Sequence, residues 1–168
     1  MWRFLLLFLV IQFALFAVEM LDPVQAAVIM PFTASLADIS AWLVQLFDEN
    51  VLAQGNLLRN RETGFAVAIA PGCNGVEAMI VLLAAILAFP APWLHRLKGV
   101  FYGFLAIQGL NLLRIISLYY LGQWDREVFD WAHNYAWQAM IMLDALIVFL
   151  VWIRMMPGRR PEAGGVHG

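Results

Sequence analysis

Apolar residues along the chain fall into four long runs, separated by short polar loops and by one extended mixed segment. The runs cover residues 4–21, 76–91, 99–121 and 135–153. A helix needs about 20 residues to cross a bilayer, so each is read as a membrane span, the second a short one. Polar interruptions are few and placed unevenly. The first run carries Gln12 and, near its end, Glu19, and the second has Glu77 at its start. The third holds Gln108, Asn111 and Arg114, and the fourth Gln138 and Asp144.

The mixed segment, residues 22–72, is the one sizeable part outside these runs. Its first half has Phe32, Leu36, Ile39, Leu43, Leu46 and Phe47 at helical spacing, with Asp38, Ser40 and Gln45 between them. That pattern predicts a helix over residues 31–47 lying in the membrane interface. A further span is the other reading; Pro31, Asp38 and the small polar residues speak against it. The second half predicts a β-hairpin, with residues 51–58 and 65–70 as strands and residues 59–64 as the polar turn. A lone hairpin is marginal, so this one is expected to pack on the helix ends.

Composition agrees with a lipid environment. Of 168 residues, 63% are hydrophobic and 13% charged, against about 45–50% and about 25% in soluble domains. A domain of this size cannot hide that excess in a core. Charge matters once it is divided among the loops. With the N-terminus inside, Arg3, Arg96, Lys98, Arg154, Arg159 and Arg160 are cytoplasmic, while Arg59, Arg61 and Arg126 are outside. Six against three is the positive-inside pattern, which puts both termini in the cytoplasm. The first run is read as a retained anchor, because a small-residue cleavage site near Ala26 and Ala27 lies far downstream. The fold expected is an all-α polytopic membrane protein. It is a single membrane domain of four transmembrane helices, an extracytoplasmic interfacial helix and a small β-hairpin.

One cysteine excludes an internal disulfide and a multi-cysteine metal site, and no basic stripe suggests nucleic acid. Cys73 lies in Pro71-Gly72-Cys73-Asn74-Gly75-Val76-Glu77, where a helix is about to begin. Unpaired N–H groups and the positive end of the helix dipole favour a thiolate there. With Gly75 allowing close approach, the same N–H groups are oxyanion donors. Taken alone, a cysteine at a tight turn is a small buried residue. Arg114 changes that balance. It lies about 15 residues from Gly99, roughly 22 Å along the third run, and an intramembrane arginine faces a protein interior or a cavity, unless it snorkels to the headgroups. Asn111, one turn earlier, shares its face. His133 opens the fourth run and is suited to proton transfer near neutral pH.

These three residues come from three helices at one membrane depth, as a thiol active site requires. Glu77, four residues after Cys73, is placed to cap the helix start, pair with Arg114 or tune the site. Asp144, deeper in the membrane, is read as structural. Trp124, Trp131, Tyr135 and Trp137 read as an interfacial aromatic belt.

Cys73-Asn74-Gly75 before one run, Asn111-Leu112-Leu113-Arg114-Ile115 near the end of the next, and His133 opening the last together resemble the exosortase/archaeosortase family. The resemblance covers about residues 65–151 and points to a compact subgroup of the exosortase H type, shorter than most members. It implies a cysteine transpeptidase or protease of the inner membrane that needs no cofactor. Its partners would be membrane lipid and exported proteins ending in a short motif, an apolar helix and a basic tail. It assigns Cys73 as nucleophile with Arg114 and His133 completing the site; Asn111, Glu77, Asn74 and Gly75 are supporting candidates. Two other classes compete. One is a non-catalytic membrane subunit, in which Arg114 and His133 pair with Glu77 and Asp144 to hold the bundle. The other is a transporter, for which the chain offers neither internal repeat nor broken helices.

Overall fold

A computed structural model describes residues 2–156; Arg159 and Arg160 lie outside the described residues. The chain forms α1 (Trp2–Glu19), α2 (Asp22–Gln45), β1 (Val51–Gln54), β2 (Leu57–Asn60), β3 (Ala66–Ala68), α3 (Val76–Ala88), α4 (Trp93–Trp124) and α5 (Arg126–Arg154). Four of these helices, α1, α2, α4 and α5, are long and apolar enough to cross a membrane; α3 is a shorter apolar helix. This is the expected all-α class with a small antiparallel sheet, and its details differ in three places.

The first is α2. It begins after an extended break at Leu21 and runs as one helix of 24 residues, with a π-helical stretch at Gln25–Ile29. Its contacts climb along α4 towards the Cys73 end of the bundle. Phe32 meets Phe104, Asn74 donates to Thr33 Oγ1, and Leu36, Ala37, Ala41 and Val44 cluster with Ile115 and Tyr119. The buried stripe is Thr33, Leu36, Ala37, Ser40, Ala41 and Val44, not the face of large residues that the sequence spacing suggests. Small side chains let α2 approach α4, while Ile39, Trp42, Leu46 and Phe47 are left exposed. Ser40, read from sequence as part of a polar face, is fully buried.

The second is the sheet, which has three antiparallel strands in the order β1-β2-β3 rather than a single hairpin. Residues 51–58 are not one strand. Gly55, at φ 60°, breaks them; a two-residue turn with glycine first is the pattern of a type II′ connection. Val51, Leu58 and Ile69 drop into the cluster with α2 and α4, which supplies the support that a small sheet needs.

The third concerns the aromatic residues near the α4–α5 junction. Trp124, Trp131 and Tyr135 are exposed as a belt requires, but Trp137 is buried against Leu118 and Ala132 and belongs to the core.

Towards the other end, α3, α4 and α5 close around Leu82, Ile86, Ile107, Ile141 and Trp152, and α1 joins them through Phe4, between Phe89 and Phe149. α4 is 32 residues long, about 48 Å at helical rise. It is the strut that reaches from this core to the sheet.

Candidate functional site

Cys73 sits in the turn between β3 and α3, where the backbone is tightly tied. Its N–H donates to the Ala70 carbonyl (2.9 Å), and the Gly72 N–H donates to Glu77 Oε1 (2.6 Å). Asn74, buried, donates to Thr33 Oγ1 (3.1 Å) and accepts the Val76 N–H on Oδ1 (3.1 Å). Gly75 takes φ 75° before the helix begins. A Cβ there would stand 2.9 Å from Gln108 Nε2 and 3.4 Å from Asn111, so glycine is needed both for the backbone angle and for close packing on α4.

Arg114 reaches this turn from α4. Its Nη2 donates to Cys73 Sγ and its Nη1 to the Gly72 carbonyl, both at 3.4 Å. The residue is 2% exposed, and its Nε has no partner among the described residues. Asn111, fully buried, donates to Gln108 Oε1 at 3.4 Å and leaves its own Oδ1 unpartnered. Gln108, Asn111 and Arg114 therefore form a polar ladder at three-residue spacing on one face.

His133 comes from α5, inside a π-helical stretch at Ala132–Ala136, a distortion frequent at functional sites. The imidazole stacks on Phe129 (5.7 Å, 3°), and its buried Nδ1 has no partner among the described residues. A cleft of about 230 Å³ joins these groups. It is lined by residues 65–70 and Cys73, by Arg114, Ile115 and Leu118 of α4, and by Arg126, Phe129 and His133 of α5. The fold thus brings Cys73, Arg114 and His133 into one cleft, with Arg114 on the sulfur and no hydrogen bond between His133 and Cys73.

Two expectations need correction. The surroundings of the sulfur disfavour the thiolate on balance. Burial pushes the Cys73 thiol above its ordinary range; the Arg114 charge pulls it down by less, and the Glu77 carboxylate adds to the rise. The sulfur sits two residues ahead of Gly75, the residue that precedes the helix, too early for much benefit from its dipole. Of the nearby N–H groups, those of Gly72, Cys73 and Val76 are already engaged and are not free oxyanion donors. Gly75 serves packing on α4, and Nε of Arg114 is an unpartnered donor beside the sulfur.

The supporting residues divide in the same way. Glu77 caps the turn through Gly72 and does not pair with Arg114; among the described residues the one ion pair is Arg126 with Asp130. Asp144 is half-buried with Oδ2 unpartnered. The charge pairing that a purely structural role for Arg114 and His133 requires is therefore not formed. No group of His, Cys, Asp and Glu suited to a metal occurs among the described residues. Sequence reasoning missed Thr33, which reaches Asn74 across 41 residues of chain, and Phe129, the platform for His133; four-residue spacing is the one signal that linked the latter pair.

The family model for transmembrane exosortases (Exosortase_EpsH) matches residues 1–152. The chain belongs to the transmembrane exosortase family. No curated protein and no solved structure matches it. Family membership and the four long apolar helices together make it a multi-pass membrane protein. Within this exosortase-family chain the matched region holds all three cleft residues, although the match itself assigns no role to any of them.

Proposed function

We propose that this chain is a cysteine-dependent transpeptidase or protease of the inner membrane. It would cleave C-terminal sorting signals of exported proteins and pass the acyl product to an acceptor. The observation that carries the reading is the guanidinium of Arg114 on Cys73 Sγ at 3.4 Å, with an unpartnered imidazole in the same cleft. Both termini are cytoplasmic in this reading, and the cleft opens at the outer face. The apolar helix of the signal lies against the spans and presents its motif at Cys73.

The high resting thiol gives His133 its first task, that of general base. As the Cys73 sulfur attacks the scissile carbonyl, its proton passes to the imidazole. Arg114 stabilises the charge that develops first on sulfur and then on the carbonyl oxygen. The imidazolium then protonates the leaving amine as the C–N bond breaks, and a thioester remains. An acceptor amine or water attacks the thioester and releases the thiol. Hydrogen bonds in an unliganded site tighten when substrate arrives, which suits an imidazole that shares the cleft with the sulfur but makes no hydrogen bond to it.

The test is co-expression with an exported protein that ends in a short motif, an apolar helix and an arginine cluster. Cys73→Ser and Cys73→Ala are expected to abolish processing while membrane insertion and protein level stay unchanged. Processing at the wild-type rate by Cys73→Ala would sink the proposal.

A further inference from the structure

β3 is the outer strand of the sheet, and its free edge forms a wall of the cleft. Register fixes which backbone groups that edge presents. Leu58 pairs with Val67 and Arg59 with Ala66, while the Asn60 N–H donates to Phe65 O (2.8 Å) and the Ile69 N–H to Asn56 O (2.9 Å). In an antiparallel pair, residues alternate between those that exchange hydrogen bonds with the neighbouring strand and those that face away. Residues 65, 67 and 69 therefore spend their N–H and C=O groups on β2. Ala66 and Ala68 point theirs away from it, towards the open side.

The cleft lining identifies that side. All six residues from 65 to 70 line it, of both parities. A strand seen face-on contributes alternate residues, and one seen edge-on contributes every residue. Side chains do not shield the edge, because Ala66, Ala68 and Ala70 are all alanine and all exposed. An unpaired edge of this kind is a template for another strand, and proteins that do not use it commonly block it with charge, proline or a covering element. Here residues 65–70 carry neither charge nor proline, Arg126 and Phe129 border the same cleft without closing it, and the strand runs directly into the turn that carries Cys73.

We propose that the substrate segment on the acyl side of the scissile bond binds as a fourth strand along β3, hydrogen-bonded to the backbone of Ala66 and Ala68. This rests on the reading of Cys73 as nucleophile and names how its substrate is held. The leaving side of a sorting signal continues into the membrane helix, so the acyl side must run away from the lipid, as β3 does from α3. Main-chain pairing supplies affinity and sets the carbonyl at the sulfur. Side chains of the motif alternate between the two faces of the added strand.

The experiment measures alkylation of Cys73 in the purified full chain by acetyl-Ala-Ala-Ala-chloromethyl ketone, with the site verified by mass spectrometry. Each rate is expressed relative to iodoacetamide on the same protein. A set of probes carries a single N-methyl group at each amide in turn. Methylating the amide that donates to β3 is expected to slow alkylation about fivefold for one lost hydrogen bond, and the neighbouring amides are expected to tolerate it. Ala68→Pro removes an N–H that the β2 ladder does not use, a placement that edge strands accept; it is expected to lower the relative rate by a similar factor. Rates that ignore the position of the methyl group would overturn the strand proposal, while a reactive Cys73 would leave the nucleophile reading standing. A Cys73 inert to iodoacetamide as well would overturn both.

Discussion

The two ends of the bundle each hold a histidine beside an aromatic ring, and they treat it in opposite ways. At the end away from the sheet, His95 stacks on Trp152 at 4.9 Å. Its Nε2 lies 3.0 Å from the Trp152 carbonyl, and Trp152 Nε1 donates to the His95 carbonyl at 2.9 Å. Two backbone carbonyls and two side chains are satisfied in one reciprocal clasp between α4 and α5. At the sheet end, His133 also stacks on a ring, but its buried Nδ1 is unpartnered, as is Nε of nearby Arg114. Leaving buried polar groups unpaired costs stability, and of the two imidazoles it is His133 that carries a buried, unpartnered nitrogen. The contrast separates a histidine that ties two helices together from one whose ring nitrogen is left open, the one to which the proposed mechanism gives the proton.

Substitution at the two histidines should break the symmetry of their surroundings. His133→Ala is expected to lower processing about 10²–10⁴-fold, the contribution of a general acid–base group, with thermal unfolding in detergent hardly moved because no hydrogen bond is lost. His95→Ala should do the reverse: processing per folded molecule stays, and stability falls by about 1–3 kcal/mol through the unpaired groups left behind. Equal losses of activity at both positions would erase the distinction. Arg114→Lys comes next in size. Lysine keeps the charge as a compact point donor and loses the planar fork that bridges Cys73 Sγ and the Gly72 carbonyl. Processing is expected to drop about 10²–10³-fold, in line with loss of an oxyanion donor. Measured rates normalised to folded protein decide it.

Much of the sheet end was legible before the structure, for a physical reason. Arg114 and Asn111 are costly in an apolar helix, so their presence announces a cavity or partner, and Cys73 and His133 lie at the mouths of neighbouring runs. What could not be read was long-range. The pairing of Asn74 with Thr33 depends on α2 turning back over the site. The buried stripe of α2 escaped notice because small residues pack closest, whereas hydropathy weights large ones. The thiol follows a non-local cause: a helix start is visible in sequence, while the larger cost of desolvation depends on what the fold packs over the sulfur. The His95–Trp152 clasp left no local signal, since its partners are 57 residues apart.

A smaller effect probes the electrostatics of the sheet end. Because burial and Glu77 raise the Cys73 thiol while Arg114 lowers it, the resting protein should react with a membrane-impermeant haloacetamide along a pH curve displaced above that of an exposed cysteine. The thiolate is the reactive form, so the rate climbs as pH rises through the folded value. Glu77→Gln removes the carboxylate charge yet still offers an oxygen to the Gly72 N–H. The curve is expected to move towards lower pH, whereas Arg114→Gln should move it higher. A curve lying below that of free cysteine would contradict the burial of the sulfur.

The smallest expected effect on activity is at the opposite end, where the molecule is built for contact alone. A Cβ on Gly99 would collide with the Trp152 indole, and one on Gly103 with the Leu82 side chain. Both glycines lie on the face of α4 that receives α3 and α5. Gly99→Ala must displace the indole, and overpacking of this kind costs about 1–3 kcal/mol. The displaced ring also loses its hydrogen bond to His95, so the clasp opens from the other side. Processing per folded molecule should remain at the wild-type level, because the cleft is lined by residues 65–70 and Cys73, the later part of α4 and the first turns of α5, whereas Trp152 lies at the far end of α5. Thermal unfolding monitored alongside single-turnover processing separates the two effects. A drop in turnover that exceeds the loss of folded protein would show that packing around Gly99 reaches the cleft, and that the two ends are mechanically coupled along the 32 residues of α4.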